Sequence, residues 1–132
     1  MRARRPEVFA ATLVFAGLWL GPAQAEAPKF DTDIQPIFDA NCVACHQTGA
    51  AQQGLILESG ISYDALVGRD SRQSKLHLVE PGDPQTSYLL TKITGTQALV
   101  GGKGARMPLG GELDAASIEL IRSWILAGAK LN

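Results

Sequence analysis

Cysteine is scarce in this sequence: there are two in 132 residues, both inside one short motif. A disulfide framework of the kind that holds small exported domains together is therefore excluded. A bond between the two would close only a tiny ring and add little stability. Positive charge is not in excess either. Twelve basic residues against thirteen acidic ones give a net charge of −1, which argues against nucleic acid or an anionic membrane surface as partners. No segment alternates convincingly between apolar and polar residues, so strands are not expected. There is no internal repeat and no low-complexity segment. The one long apolar run, Val8 to Leu20, is 13 residues, short of the roughly 20 that a membrane-spanning helix needs.

That run has a different reading. Arg2, Arg4 and Arg5 precede it, and Ala23-Gln24-Ala25 follows it. The order is that of a secretory signal peptide with cleavage after Ala25. An uncleaved N-terminal anchor is the main rival. No cysteine near the cleavage site could carry lipid. The Arg4-Arg5 pair hints at the twin-arginine route, but that route carries folded proteins, and the general secretory route is the expected one. Residues 1–25 are thus expected to be a leader and residues 26–132 a single domain. Removing Arg2, Arg4, Arg5 and Glu7 takes the charged residues from 12 and 13 to 9 and 12, a net of −3. A domain of this size buries only a modest share of its surface. With 14 glycines in the whole chain, much of it must be loop, which suits a fold built around something that is not protein.

Helical spacing is visible in four places. Ile34, Ile37 and Phe38 share one face, with Thr32 or Asp33 as cap and Pro36 in the first turn. Asp83-Pro84 offers a cap and a first-turn proline to a helix carrying Tyr88, Leu89, Leu90 and Ile93, which Gly95 stops. Asp114 caps a last helix whose apolar face is Ile118, Ile121, Trp124 and Ile125, ending at Gly128. Ser62 is placed to cap a shorter helix through Tyr63, Leu66 and Val67, stopped by Gly68. Trp124 is expected to pack the last helix against Phe38 of the first. The spacing predicts an all-α domain of about four short helices with long Gly/Pro-rich loops.

The first helix runs into Cys42-Val43-Ala44-Cys45-His46, a C-x-x-C-H sequence and so a c-type haem attachment signature. Two thiols about one turn apart can reach the two vinyl groups of a porphyrin, and the next residue offers its imidazole to the iron. Three rivals share the residues. A thioredoxin-like pair wants the motif at the start of a helix after a strand, and here it ends a helix. A zinc site would need Cys42, Cys45, His46 and His77 around one ion, which the adjacency of Cys45 and His46 makes awkward. A small disulfide is the third. Haem iron in cytochromes c is commonly held by histidine and methionine. Once the leader is removed the only methionine is Met107, in Arg106-Met107-Pro108-Leu109-Gly110-Gly111. Pro108 stiffens this loop and the glycines let it approach a flat cofactor. Met107 is therefore the expected second axial ligand, with His77 as runner-up and a gap-filling core methionine as the plain alternative. Tyr63 and Tyr88 are candidates for the haem propionates, although half-buried core tyrosines are the plainer reading. Lys103 and Arg106 flank the ligand loop and could meet an acidic partner, or simply be solvated.

The ordered set of residues also resembles a known family. Asp33-Ile34-Gln35-Pro36-Ile37-Phe38 leading into Asn41-Cys42-Val43-Ala44-Cys45-His46, then Gly54-Leu55-Ile56-Leu57, Glu80-Pro81-Gly82-Asp83-Pro84 with Ser87 and Leu89, Arg106-Met107-Pro108 with Gly110-Gly111, and Leu113 with Ile121 to Ala129 are similar to the planctomycete-type cytochrome c domain, a relative of class I cytochromes c. The resemblance spans the mature chain. It implies a helical fold around one covalently attached haem c, held at Cys42 and Cys45, with His46 proximal and Met107 distal. It also implies packing of the first helix on the last. The lysine-rich docking face of the mitochondrial-like proteins is missing. The expected function is one-electron transfer in the periplasm between unidentified redox partner proteins, and not catalysis. A peroxidase-like or gas-binding protein with a labile distal ligand is the alternative, as is a haem subunit of a membrane oxidoreductase.

Overall fold

The computed structural model describes residues 26–132; the expected leader and its cleavage site lie outside them. Four α-helices follow in order: α1 (Gln35–Asn41), α2 (Ser62–Leu66), α3 (Tyr88–Thr94) and α4 (Ala115–Leu126). A wide π-helical turn, Phe30–Ile34, leads directly into α1, and single 3₁₀ turns occupy Gln52–Gly54 and Gln97–Val100. Among the described residues there is no strand, only two isolated bridges, Val67 with Val79 and Asp70 with His77. The domain is all-α, as the spacing predicts. No described helix is long and apolar enough to cross a membrane.

The wide turn has a local cause. Pro36 has no N–H to return to the preceding turn, and just before it the Gln35 N–H bonds back to Phe30 O, a longer ring than an α-helix closes. Helix α4 follows the sequence rules closely. Asp114 accepts the Ser117 N–H at 2.9 Å and is the N-cap. At the other end Ala129 N–H bonds to Trp124 O at 2.9 Å while Gly128 takes φ +99°, the left-handed exit that glycine permits. Gly95 ends α3 in the same way, at φ +77°.

The start of α3 differs from expectation. Asp83 accepts the N–H groups of Gln85 and Thr86 at 2.9 and 3.2 Å, so it closes a side-chain turn, and the helix begins one turn later at Tyr88. An aspartate side chain satisfies a turn as readily as a helix start. Ser62 is likewise not a cap. It is the first residue of α2, and its buried hydroxyl donates to Gln35 Oε1.

The core joins the two ends of the domain. Helix α4 packs against the Phe30–Ile34 turn and against α3. The ring packed beside Trp124 is Phe30, centroids 5.2 Å apart and planes tilted by 44°, and not Phe38 as the spacing suggested. Phe30 also meets Tyr63 edge-on at 5.2 Å and lies 6.2 Å from Phe38. Phe30 mediates because the wide turn adds helical residues before Ile34. The C-terminal segment is tied in by Trp124 Nε1–H to Lys130 O at 3.0 Å and Tyr63 O–H to Ala129 O at 2.9 Å. That bond commits Tyr63 to the core, away from the cavity described next.

Candidate functional site

The residues after α1 are wound into a tight turn. Cys42 N–H and Val43 N–H both reach Phe38 O, and Cys45 N–H and His46 N–H both return to Cys42 O at 3.1 and 3.0 Å. This winding holds the two thiols and the imidazole on one short segment. Cys42 is partly buried, Cys45 exposed, and neither is in a disulfide. Burial pushes the Cys42 thiol up to about 11. Burial thus works against the thiolate form that a redox pair uses.

His46 is fixed by the loop that follows it. Its backbone carbonyl accepts the Leu57 N–H at 2.8 Å, and its Nδ1 lies 3.1 Å from Leu55 O. A carbonyl oxygen can only accept, so Nδ1 is the donor of this pair, and in the neutral ring that leaves the lone pair on Nε2. That is the tautomer a metal-ligating histidine needs, with the backbone as its orienting partner. The loop is anchored in turn by Gln35, a buried amide that donates to Leu57 O at 2.9 Å. Gln35 thus ties α1 to α2 through Ser62 and to the histidine loop through Leu57. Its position next to Pro36 on a helix gives no hint of that role.

Met107 is held from the other side. Its N–H donates to Lys92 O at 2.9 Å, and Arg106 Nε donates to Ile93 O at 3.1 Å. The Arg106 guanidinium also pairs with Glu112. The loop before Met107 is pinned to α3 as well. Lys103 O accepts from Lys92 Nζ at 3.0 Å and from Tyr88 O–H at 3.2 Å.

These two segments, 42–46 and 107–109, face one cavity of about 900 Å³, a size at the upper end of cofactor sites. Cys42, Cys45, His46 and Met107 all line it, with Leu55, Leu57, Leu66, Leu78, Leu89 and Ile93 as apolar wall. Tyr88, Leu89, Lys92 and Ile93 form one stripe of α3 along it, the i, i+1, i+4, i+5 pattern of a helix face. Lys92 is 8% exposed, and burial pulls its ammonium below the usual lysine range. Its register with Leu89 and Ile93 is the signal that would have placed it on this wall.

Other sequence candidates fall elsewhere. His77 is half exposed and does not line the cavity. Its Nδ1 lies 2.6 Å from Glu80 and its Nε2 3.3 Å from Asp70. Among the described residues no group of three or more His, Cys, Asp or Glu is placed to hold a metal ion, so Cys42, Cys45, His46 and His77 do not form a zinc site. The donor set at the cavity suits a planar, largely apolar group carrying its own metal. Two thiols could bond to its edge, and an oriented imidazole and a thioether could reach its metal.

No family model and no curated protein matches the chain. Among solved structures it is similar to Kuenenia stuttgartiensis hydrazine synthase, at 21% identity and a TM-score of 0.52. The likeness covers 77% of this chain and 16% of that one. At this identity it is a likeness of fold.

Proposed function

We propose that the chain is a mono-haem c-type cytochrome of the planctomycete-type cytochrome c kind that carries single electrons outside the cytoplasm. One observation carries the reading. Four residues from two segments about sixty positions apart, Cys42, Cys45 and His46 with Met107, line a single apolar cavity, and the His46 Nδ1 is engaged by Leu55 O, which leaves Nε2 as the nitrogen for a metal.

Cys42 and Cys45 would hold haem c through thioethers, and His46 and Met107 would be its axial ligands. When bound, the haem supplies a one-electron iron couple. The protein's own contribution is positional. The turn on Phe38 O fixes the thiols, Leu55 O orients the imidazole, and Lys92 O with Ile93 O holds the methionine loop. A soft thioether and apolar walls both favour the ferrous state. The exposed Cys45 and Leu109 lie at the rim, so one edge of the cavity reaches the surface, where a donor or acceptor protein could approach.

The test is the intact mass of polypeptide matured in its native, exported state, with visible spectra of both redox states. Adding a thiol across a vinyl group loses no atoms, so the expected mass is that of the mature polypeptide plus one haem. A polypeptide without added porphyrin overturns the reading. The Cys42→Ala, Cys45→Ala double variant is expected to yield little haem-containing protein; a stable, haem-free fold in its place counts against it.

A further inference from the structure

The cavity wall includes a cation that its other residues do not explain. Lys92 is more than nine-tenths buried, on the same stripe of α3 as Tyr88, Leu89 and Ile93. Its ammonium has three N–H bonds, and one donates to Lys103 O. Among the described residues no carboxylate lies within ion-pair distance of it. Asp70, the one carboxylate lining the cavity, is exposed and sits 3.3 Å from His77 Nε2. A buried ammonium without an anion is costly.

The surroundings of Nζ are polar and closely fitted. A side chain at Gly104 would come within 3.2 Å of Lys92 Nζ and 3.0 Å of Gln73 Nε2, so the amide and the ammonium close on the same glycine. Lys103 N–H bonds to Gln73 O at 3.1 Å, which ties the Gln73 loop to the Met107 loop here. The Tyr88 hydroxyl shares the Lys103 carbonyl with Lys92. Arg72 also lines the cavity, with its guanidinium against Gly54. Lys92, Gln73 and Tyr88 meet around Lys103 and Gly104, while the thiols stand on a different element.

We infer that Lys92, with Gln73 and Tyr88 beside it, is the site where the cavity receives a carboxylate, and that this carboxylate is a propionate of the porphyrin. The inference rests on the haem reading. The vinyl and propionate groups of such a porphyrin lie on different edges, so a chain that bonds the first through Cys42 and Cys45 must meet the second elsewhere. Lys92 supplies a charge-assisted hydrogen bond there. With the haem bound, it would also place a positive charge in a low-dielectric site on the cofactor's cavity wall.

The experiment compares haem-loaded wild type with Lys92→Met, Lys92→Gln and Lys92→Arg. It reads infrared difference spectra between oxidised and reduced protein in the carboxylate region, and the reduction potential at about pH 8, well above the carboxylate range. Lys92→Met is expected to move the carboxylate bands and lower the potential, because the ferric state no longer faces the lysine charge. The sulfur-to-iron charge-transfer band should persist, and Lys92→Arg should restore both readouts. Lys92→Gln keeps a donor for Lys103 O and serves if the methionine variant does not accumulate; its bands should move in the same direction. Unchanged bands and potential in these variants overturn the inference, as does loss of the charge-transfer band, which would put Lys92 on the iron side of the cavity. Wild-type protein without attached haem is a failure of the haem reading itself and is distinguished by mass before any variant is made.

Discussion

The Nδ1 of His46 lies 3.1 Å from the carbonyl oxygen of Leu55, nine residues on. The bond does two things at once. It closes the loop after the C-x-x-C-H turn, and it decides which imidazole nitrogen is free. Leu55 can present that carbonyl because Gly54 turns the chain at φ +72°, a region that costs an L-residue about 1–2 kcal/mol. An added Cβ would also press on the Arg72 guanidinium at 2.6 Å. Gly54→Ala is therefore expected to lose about 1–2 kcal/mol of stability in denaturant titrations of the haem-loaded protein. A variant as stable as wild type would show that the turn does not depend on glycine.

The aromatic cluster gives a second expectation. Trp124 packs beside Phe30 and donates its indole N–H to Lys130 O. Trp124→Phe keeps one aromatic ring but removes the donor and the five-membered half of the indole, a loss of about 1–2 kcal/mol. Trp124→Ala opens the cavity as well and should lose about 3–5 kcal/mol. A marginal domain of this size has roughly 5–15 kcal/mol in all, so Trp124→Ala should melt far below wild type while Trp124→Phe melts close to it. Equal losses for the two would mean that the hydrogen bond, not the packing, matters here.

Acid should destabilise the fold through three exposed carboxylates. Hydrogen bonds from the Thr48 hydroxyl and N–H hold Glu58 below its usual range. Thr86 does the same for Asp83, and Ser117 for Asp114. Each folded-state pKa is depressed, so the stabilisation is complete above the unfolded carboxylate values of about 4 and is lost as pH falls through the folded ones. The denaturation midpoint should be level between about pH 5 and 7 and decline below about pH 4. Asp114→Asn keeps a cap acceptor but cannot titrate, so its decline should be shallower. An identical pH profile for the variant would remove Asp114 from this account.

How much of this was legible follows from the range of each interaction. The cap at Asp114, the stop at Gly95 and the thiol–thiol–imidazole turn are local, so residue type and spacing are enough to place them. The start of α3 was misplaced because Asp83 serves a turn and a helix cap equally well in sequence. The Phe30–Trp124 contact was missed because the wide turn before Pro36 extends the first helical segment backwards by a turn. The tethers made by Gln35 and Lys92 were out of reach for a different reason. Their partners, Leu57 O and Lys103 O, are 22 and 11 residues away, and backbone carbonyls carry no residue identity to read.

Met107 is where the carrier reading and the gas-binding reading part. Its backbone is held to Lys92 O, and its neighbour Arg106 reaches Ile93 O and Glu112, so the loop bearing the thioether is clamped to α3 and not merely draped over the cavity. On the haem reading, a distal ligand clamped in this way should leave no position for an added one. Reduced wild type is expected to bind carbon monoxide slowly and incompletely, whereas Met107→Ala should bind it fast, keep the attached-haem mass, and have a lower reduction potential, since the soft ligand that favours the ferrous state is gone. Arg106→Ala separates the clamp from the ligand. It leaves the sulfur in place and removes the contacts to Ile93 O and Glu112, so its carbon monoxide binding should fall between the other two. Wild type that takes carbon monoxide as readily as Met107→Ala would mean that Met107 does not close the distal side, and the gas-binding reading would then fit the cavity better than electron transfer.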